Sequence, residues 1–557
     1  MASPPDVRIA KSSRDIRCRG MVAPRGVLGP AAQFVAMFWR RLGVVSALVL
    51  LPCFWNREIE AADLGSHLYN AWLAELIHRG QVHGLWIDHR WNNILFDYLV
   101  SGFGEAFGLH AAGKIAVALC VLIFFWGAFA LACAATRRAP WGLLPLMAMA
   151  AYGWTFHIGL FNYYLALGLS FFALAILWRG KPAEWLITLA IAPLIVLAHP
   201  LALFWLISAG VYVVAAERVP RVYHLGLLVA GVLALFGFHA YLWSHYVVEA
   251  RPHDFWFFNG ADQFVLFGNR YRIIEYAFLT FIATALAGEF FTRRQDRNVR
   301  PLRERSDSTV DAETSSRPGA AGRLQHSHTD LRPTGYAILI EMYVLVGAAV
   351  LLLPRGAHVP GHIGAVALLT DRLTSVSIVL LICMAAAARP QRWHLIAGSV
   401  LAAVFFGFVY QDTGRVNRME ATVAQIVRTL PRGQRVMGTI LPPPDSRVTI
   451  QHILDRACIG YCYSYGNYEP GSKMFRVRAV PGNPYVLADY DLAIEMERGT
   501  YVVQPADLPV WEVYPCDAQR AKVAAPLLSD ATFCIAPLHA GERNLPSAPG
   551  QRLNSNN

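Results

Sequence analysis

The stretch Ile115-Ala-Val-Ala-Leu-Cys-Val-Leu-Ile-Phe-Phe-Trp-Gly-Ala-Phe-Ala-Leu-Ala-Cys-Ala-Ala135 decides the fold class, because none of its residues is Asp, Glu, Lys or Arg. A helix needs about 20 apolar residues to cross the hydrocarbon core of a bilayer. Similar runs recur along the 557 residues, of which 55% are hydrophobic and 16% are charged. Soluble domains carry about 25% charged residues. The sequence therefore predicts an α-helical polytopic membrane protein and excludes the soluble, disordered, collagen-like and disulfide-miniprotein classes.

About eleven apolar runs are predicted to be transmembrane helices. The first ends at Trp55, and the others cover roughly 111–135, 140–156, 158–178, 183–198, 200–216, 223–247, 270–291, 335–353, 363–388 and 393–410. Their Arg- and Lys-rich connections fall on the same side as the basic tail 1–35, and the positive-inside rule places that side in the cytoplasm. This bias accounts for the net charge of +11 without nucleic-acid binding. An odd number of spans puts the C-terminal region outside.

Two further segments complete the membrane part of the chain. The run 94–109 is apolar but short, and we expect it to form an interfacial helix on the outer surface. Residues 292–334 are rich in Arg, Ser, Thr, Asp and Gly, which predicts a disordered cytoplasmic linker. This linker divides the membrane region into one part over 36–291 and a three-helix part over 335–411.

The C-terminal region is predicted to form a small extracytoplasmic α/β domain over 412–540, with a disordered tail over 541–557. A helical pattern covers about 415–430, and short β-like runs follow at 435–441, 475–480 and 500–504. Cys458, Cys462, Cys516 and Cys534 suit an oxidising compartment, with three possible pairings. Because His452 lies near the Cys-x3-Cys pair, a zinc site is the alternative to a disulfide there.

Polar side chains collect in the first outer loop, which runs from 56 to 110. On a helix, Glu60, Asp63 and His67 would share one face, since they are three and four residues apart. Two carboxylates and an imidazole on one stripe could bind a divalent metal or act as a base with an orienting partner. The alternative is a solvated acidic helix start beyond a transmembrane helix.

The stretch Asp63-Leu-Gly-Ser-His-Leu-Tyr-Asn-Ala-Trp-Leu73 resembles first-loop sequences of uncharacterised bacterial members of the GT-C superfamily of integral-membrane glycosyltransferases. The stretch Phe161-Asn-Tyr-Tyr-Leu-Ala-Leu-Gly-Leu169 is similar to the start of a span in the same proteins. The many-span, GT-C-like architecture over 36–410 and a soluble C-terminal domain fit this resemblance. The sequence departs from the family's adjacent or alternating acids, because Glu60 and Asp63 are three residues apart.

The resemblance implies a sugar donor carried on a polyprenyl phosphate and an acceptor hydroxyl at the outer membrane face. No Walker-type Gly-x4-Gly-Lys-Ser/Thr stretch occurs in the sequence, which is compatible with a donor other than a nucleotide sugar. The resemblance assigns the catalytic base to Asp63, with Glu60 as the second candidate. His67 would orient the base or hold a divalent metal together with both acids. The resemblance also implies that the protein lies in the inner membrane of a bacterium.

Substrate-binding candidates lie in other outer turns. Arg355 and Arg372 are candidates for the lipid phosphate, as are Arg270 and Arg272; an Asp371–Arg372 ion pair that fixes packing is the alternative reading of Arg372. His199 and His253 lie in outer turns, although His199-Pro200 could simply mark a helix break. Trp86 and Asp88 could bind sugar, whereas an aromatic belt at the membrane interface is the favoured explanation of Trp86.

Two other function classes remain open at this point. A transporter or flippase would also have many spans, although ionisable residues would then be expected near the membrane midplane. A non-catalytic envelope-assembly protein could keep the scaffold of an enzyme. The acceptor could be a glycan, a lipid or a protein.

Overall fold

The computed structural model describes residues 30–250, 259–288, 335–358, 360, 366–440, 442, 445–450, 452–472, 474–516 and 533–544. His253, the predicted linker 292–334 and most of the two predicted tails lie outside these residues. Within them the chain is predominantly helical. The helices are α1 (Pro30–Phe54), α2 (Leu64–His78), α3 (Leu95–Phe107), α4 (Leu109–Thr136), α5 (Leu144–Ala151), α6 (Trp154–His157), α7 (Phe161–Arg179), α8 (Trp185–Ala198), α9 (Pro200–Arg218), α10 (His224–His245), α11 (272–288), α12 (Gly335–Leu352), α13 (Leu369–Ala387), α14 (Arg392–Val427), α15 (Ile453–Cys458), α16 (Glu469–Ser472) and α17 (Tyr490–Glu497).

Seven helices in the described part of the chain are long and apolar enough to cross a membrane. They are α4, α7, α9, α10 (with the 3-10 turn before it), α12, α13 and α14. Their burial differs with position, since 89% of the most apolar window is buried in α13 and 0% in α10. A long apolar helix with no buried residue in its most apolar window is typical of a surface that faces lipid. The structure thus agrees with a helical membrane protein, and the number of eleven spans stays a prediction.

The centre of the bundle is the contact between α4 and α7. Gly127 and Gly168 face each other there, and a Cβ at Gly127 would lie 2.4 Å from the Gly168 carbonyl oxygen. Small residues let helix backbones approach closely in membrane proteins. This close packing fixes the start of α7, which borders the polar residues described below.

The predicted span over 140–156 is divided in the structure. It contains the short helices α5 and α6, which are separated at Tyr152 and Gly153. The side chain of Gln263 contacts this break, where its Oε1 accepts hydrogen bonds from the backbone N–H and the hydroxyl of Thr155, both at 3.0 Å. A polar side chain from a distant segment thus replaces helical hydrogen bonding in an apolar run.

The C-terminal region follows directly from α14, one of the helices that are long and apolar enough to cross a membrane. Helix α14 has 36 residues, about 54 Å at 1.5 Å per residue, and so exceeds a hydrocarbon core of about 30 Å. The predicted domain boundary at 411–412 and most of the predicted helix 415–430 fall inside α14. After it, β4 (Arg435–Gly438) lies between β5 (Tyr463–Ser464) and β7 (Val510–Pro515), parallel to both, and β8 (Phe533–Leu538) pairs antiparallel with β7.

Two of the predicted β-like runs form strands, at β4 and at β6 (Val477–Ala479), whereas 500–504 contributes only an isolated bridge from Val502 to Arg543. Disulfides join Cys458 to Cys462 and Cys516 to Cys534, which selects one of the three pairings. The zinc alternative at the Cys-x3-Cys pair is therefore wrong.

The C-terminal region packs on the first loop. Strand β1 (Leu85–Ile87) of the loop pairs antiparallel with β6, and the Tyr69 hydroxyl of α2 accepts a hydrogen bond of 2.9 Å from the backbone N–H of Ser464. A second ribbon pairs β2 (Val247–Glu249) with β3 (Gly356–His358). The hydrophobic core continues from the helical bundle through the loop into the C-terminal region. Residues far apart in sequence are thereby brought to one place beside α2.

Candidate active site

Asp63 lies at the start of α2, where two chain segments meet. Its backbone N–H donates to the Ile158 carbonyl at 3.2 Å, and Gly159, with φ of +85°, leaves no room for a Cβ beside it. The N-terminal end of a helix favours a carboxylate, because the helix dipole is positive there. The side chain of Asp63 is 26% exposed, so it is largely enclosed yet reachable.

The predicted stripe of Glu60, Asp63 and His67 does not form. Helix α2 begins at Leu64, so Glu60 lies before the helix and is not on its face. Glu60 is buried and accepts a hydrogen bond of 2.6 Å from Asn417 of α14. Burial, together with the nearby charge of Glu420, raises the pKa of Glu60 well above its usual value. Glu60 thus belongs to a contact between the loop and α14.

His67 is paired with a different acid, Asp97 of α3. Its Nδ1 lies 2.8 Å from Asp97 Oδ1, and Asn162 donates to the other carboxylate oxygen at 2.9 Å. Burial opposes the charged imidazolium, but the charge of Asp97 and the hydrogen bond to it outweigh that effect and raise the pKa of His67 to about 9. A metal-bound imidazole must be deprotonated at the coordinating nitrogen.

Glu60, Asp63 and His67 therefore contact different partners, and the structure does not bring the three together as a ligand set. Across the described ranges, no group of three or more His, Cys, Asp or Glu side chains is placed to hold a metal ion.

Arg372 and His199 form a contact at the first turns of α13 and α9. Arg372 Nη1 lies 2.8 Å from His199 Nε2, and the guanidinium lies over the ring of Tyr163 at 5.6 Å. The Nε of Arg372 is buried without a hydrogen-bond partner. The positive charge of Arg372 is near enough to Asp63 to oppose the rise in the pKa of that carboxyl. Arg355 lies 3.8 Å from Asp371 Oδ2.

His452, which the sequence suggests only as a zinc ligand, lies beside Asp63 in the structure. It precedes α15, is buried, and its Nε2 lies 3.7 Å from Asp63 Oδ1. Its Nδ1 lies 2.7 Å from Asp455 Oδ2, three residues further on. Burial opposes protonation, but the hydrogen bond to Asp455 and its charge raise the pKa of His452 to about 9. The spacing of a His and an Asp was visible in the sequence, whereas the contact with Asp63 was not.

The electrostatics at Asp63 combine burial with opposite charges. Burial raises the pKa of Asp63, and the positive charges of His452, His67 and Arg372 oppose that rise. A carboxylate with a raised pKa is a stronger base than an exposed one.

Trp86 and Asp88 lie at the ribbon between the loop and the C-terminal region. Trp86 is 48% exposed on β1, opposite Arg478 of β6. Asp88 Oδ2 lies 3.0 Å from Arg478 Nη2 and 3.1 Å from Arg90 Nε. Asp88, directly after β1, is therefore linked to β6 by its ion pair with Arg478.

The close contact of α2 with His452 gives a direct prediction for Gly65→Ala. A Cβ at Gly65 would lie 2.3 Å from the His452 carbonyl oxygen, so one backbone must move. We expect the free energy of unfolding to fall by about 1–3 kcal/mol. Thermal unfolding in detergent measures the loss, and Gly102→Ala is the matched control, because that helical position has open space. Equal stability of the two variants would contradict the packing.

The site thus joins an acid of the first loop, an arginine and a histidine from the starts of two apolar helices, and a histidine of the C-terminal region. Comparisons with protein-family models, curated proteins and solved structures find no match to the chain.

Proposed function

We propose that the protein is a membrane glycosyltransferase that moves a sugar from a polyprenyl phosphate to an acceptor hydroxyl, with Asp63 as the general base. The observation that carries the proposal is the 3.7 Å approach of His452 Nε2 to Asp63 Oδ1, 389 residues apart in the chain, where the positive charge of Arg372 also opposes the rise in the pKa of Asp63. The resemblance of the first loop to GT-C glycosyltransferases supports the reaction type. Such a reaction needs a base, a phosphate-binding cation and access from the bilayer.

The chemistry follows from the charges. Asp63 accepts the proton of an acceptor hydroxyl, whose oxygen forms a bond to the anomeric carbon. The bond from that carbon to the phosphate oxygen breaks, and the lipid phosphate leaves with the electron pair. A positioned base contributes about 10²–10⁴-fold to such a step, and it works best with a pKa near the operating pH. The raised pKa of Asp63 fits this role.

The hydrogen bonds of His199 support an anion site beside Asp63. His199 Nδ1 accepts a bond of 3.2 Å from the Leu201 N–H, and Nε2 faces Arg372 Nη1 at 2.8 Å. A neutral imidazole has only one lone pair in the ring plane, so it cannot accept both bonds. With Nδ1 as acceptor, Nε2 carries the proton and two donors face each other. A phosphate oxygen that separates the two nitrogens from their 2.8 Å contact would accept a hydrogen bond from each of them.

The ends of the helices suggest how a lipid donor reaches the site. Helices α7, α9 and α13 all begin beside it, at Phe161, Pro200 and Leu369, and helix N-termini favour phosphate. A lipid tail could then lie along the bundle while its phosphate stays at the surface. The two disulfides of the C-terminal region support an extracytoplasmic position for this end, as disulfides persist in oxidising compartments. We propose the inner membrane of a bacterium, with a cytoplasmic N-terminus.

Arg372→Gln tests the donor site through binding. We expect the affinity of the full-length protein in nanodiscs for polyprenyl phosphate to fall by about 10–100-fold, since a hydrogen bond to a charged group is worth about 1.5–3 kcal/mol. Arg79→Gln is the matched control, because Arg79 is exposed and pairs with Glu75 on α2. Unphosphorylated polyprenol should bind weakly to all three proteins. Equal binding of polyprenol and polyprenyl phosphate to the wild type would contradict the site.

A transfer assay separates the proposed function from its alternatives. The purified protein in proteoliposomes is given radiolabelled polyprenyl-phosphate hexoses and pentoses together with an envelope extract as the acceptor. A glycosyltransferase releases polyprenyl phosphate and labels a new product. A flippase would move the donor across the bilayer without that release, and a non-catalytic assembly protein would do neither.

A further inference from the structure

We infer that His452 is a positioning residue for Asp63, so that the C-terminal region completes the catalytic centre in addition to covering it. The inference rests on the proposed function, because it assigns a role beside the proposed base. Its starting point is one distance, the 3.7 Å between His452 Nε2 and Asp63 Oδ1.

The imidazole of His452 is fixed by a contact at its Nδ1 nitrogen. Its Nδ1 is bonded to Asp455 Oδ2 at 2.7 Å, and the hydroxyl of Ser464 on β5 donates to the other oxygen of Asp455. A carboxylate that accepts from Nδ1–H fixes the ring orientation and leaves Nε2 pointing away from it. Here Nε2 points toward Asp63. Asp455 and Ser464 of the C-terminal region thus help to set the ring orientation.

The backbone that carries His452 is also fixed against the first loop. Gly65 touches the carbonyl of His452 so closely that no side chain fits between them. Arg456, one turn later on α15, donates to the Ile59 carbonyl at 3.1 Å and to Glu420 at 3.2 Å. The Cys458–Cys462 disulfide closes the end of the same helix. The separation between His452 and Asp63 is thus set by contacts on both sides.

Other charged groups near Asp63 have partners of their own. The groups that act on Asp63 are His452, His67 and Arg372, and the Tyr468 hydroxyl and Glu497 lie in the same surroundings. His67 is bonded to Asp97, and Arg372 contacts His199 at the proposed phosphate site. His452 is also bonded to Asp455 through Nδ1, but its other ring nitrogen, Nε2, lies 3.7 Å from Oδ1 of Asp63.

This arrangement has a chemical consequence. His452 faces Oδ1 of Asp63, so Oδ2 is the oxygen left to take the proton of an acceptor hydroxyl. An imidazolium beside the carboxylate also keeps it ionised in a buried place. Catalytic groups need such support, because misplacement by about 1 Å can cost about 100-fold in rate. His452 would act on the reaction only through Asp63.

A double-substitution experiment tests that dependence. We expect His452→Gln to lower kcat for transfer from a polyprenyl-phosphate sugar by about 10–100-fold, with the KM for the donor unchanged, since it disturbs the base and not the phosphate site. In the Asp63→Asn background, the same substitution should cause no further loss, because the group through which His452 acts is already gone. His110→Gln, at an exposed histidine of the first loop, is the matched control.

Ser464→Ala is a second variant that tests the same inference if His452→Gln fails to fold. It keeps the imidazole and removes only the bond to Asp455, so we expect a smaller loss of kcat that also vanishes in the Asp63→Asn background. Wild-type kcat in His452→Gln, or a loss that multiplies with that of Asp63→Asn, would overturn the inference and leave the proposed function intact. Full turnover in Asp63→Asn itself would instead remove the proposed base, and the role of His452 with it.

Discussion

Asp63→Asn is expected to lower kcat for sugar transfer by about 10²–10⁴-fold, the usual contribution of a general base. The amide of Asn keeps the size of the side chain but cannot accept a proton from a hydroxyl at neutral pH. Binding of polyprenyl phosphate should remain, because the proposed phosphate site is formed by Arg372 and His199. Single-turnover kinetics with a radiolabelled donor measures the chemical step apart from binding.

The pH dependence of kcat/KM in the wild type is a second test of Asp63 as the general base. A base must be deprotonated to act, so kcat/KM should rise with pH through the pKa of Asp63. Burial raises that pKa, which places the rise above the ordinary Asp value of about 3.9. Glu75→Gln, at an exposed acid of α2, is the control and should keep the wild-type profile. An Asp63→Asn enzyme with wild-type turnover would rule out the assignment of the base.

Asp97→Ala is expected to lower the free energy of unfolding by about 3–5 kcal/mol, the usual cost of removing one partner of a buried ion pair. Asp97 and His67 are each 6% exposed and lie 2.8 Å apart. Without the carboxylate, the buried imidazole loses its counter-ion and Asn162 loses an acceptor. Chemical unfolding in detergent compares this variant with Glu105→Gln, an exposed acid on the same helix.

The His67–Asp97 ion pair also predicts how the difference in unfolding free energy between the wild type and Asp97→Ala changes with pH. The pKa of His67 is raised from an ordinary 6.5 to about 9, so the folded state holds its proton over a range in which the unfolded state loses it. The stabilisation is complete below about pH 6.5 and is lost as the pH rises toward 9. The stability gap between wild type and Asp97→Ala should shrink over this range. A gap that stays constant from pH 6.5 to 9 would contradict the ion pair.

The sequence predicted those parts of the molecule that depend on local pattern. Helix α4 covers the predicted run 111–135, and α13 covers residues 369–387 of the predicted run 363–388, because apolar composition alone favours a helix in an apolar environment. The acid of the first loop that the resemblance singled out, Asp63, lies where charged side chains from other segments meet. The run 140–156 departs from its pattern because a distant side chain, Gln263, contacts the break in its helix.

The features of the site that the sequence does not predict depend on tertiary contacts. Glu60 was placed on a helix with Asp63, but the hydrogen bond from the backbone of Asp63 to Ile158 and the start of α2 at Leu64 leave it outside. His452 has no local pattern that points to Asp63, since their contact depends on how α15 packs on α2. The partner of His67, Asp97, is 30 residues away on another helix.

The central claim is that Asp63, Arg372 and His199 form a site for a lipid-linked phosphate beside a catalytic base. The most direct measurement is a cryo-electron microscopy structure of the full-length chain in nanodiscs with polyprenyl phosphate. We predict that the phosphate lies between Arg372 and His199, within hydrogen-bonding distance of both, with Asp63 facing the side from which a sugar would leave. Density for the phosphate at another surface, with the Arg372–His199 contact unchanged and empty, would contradict the claim.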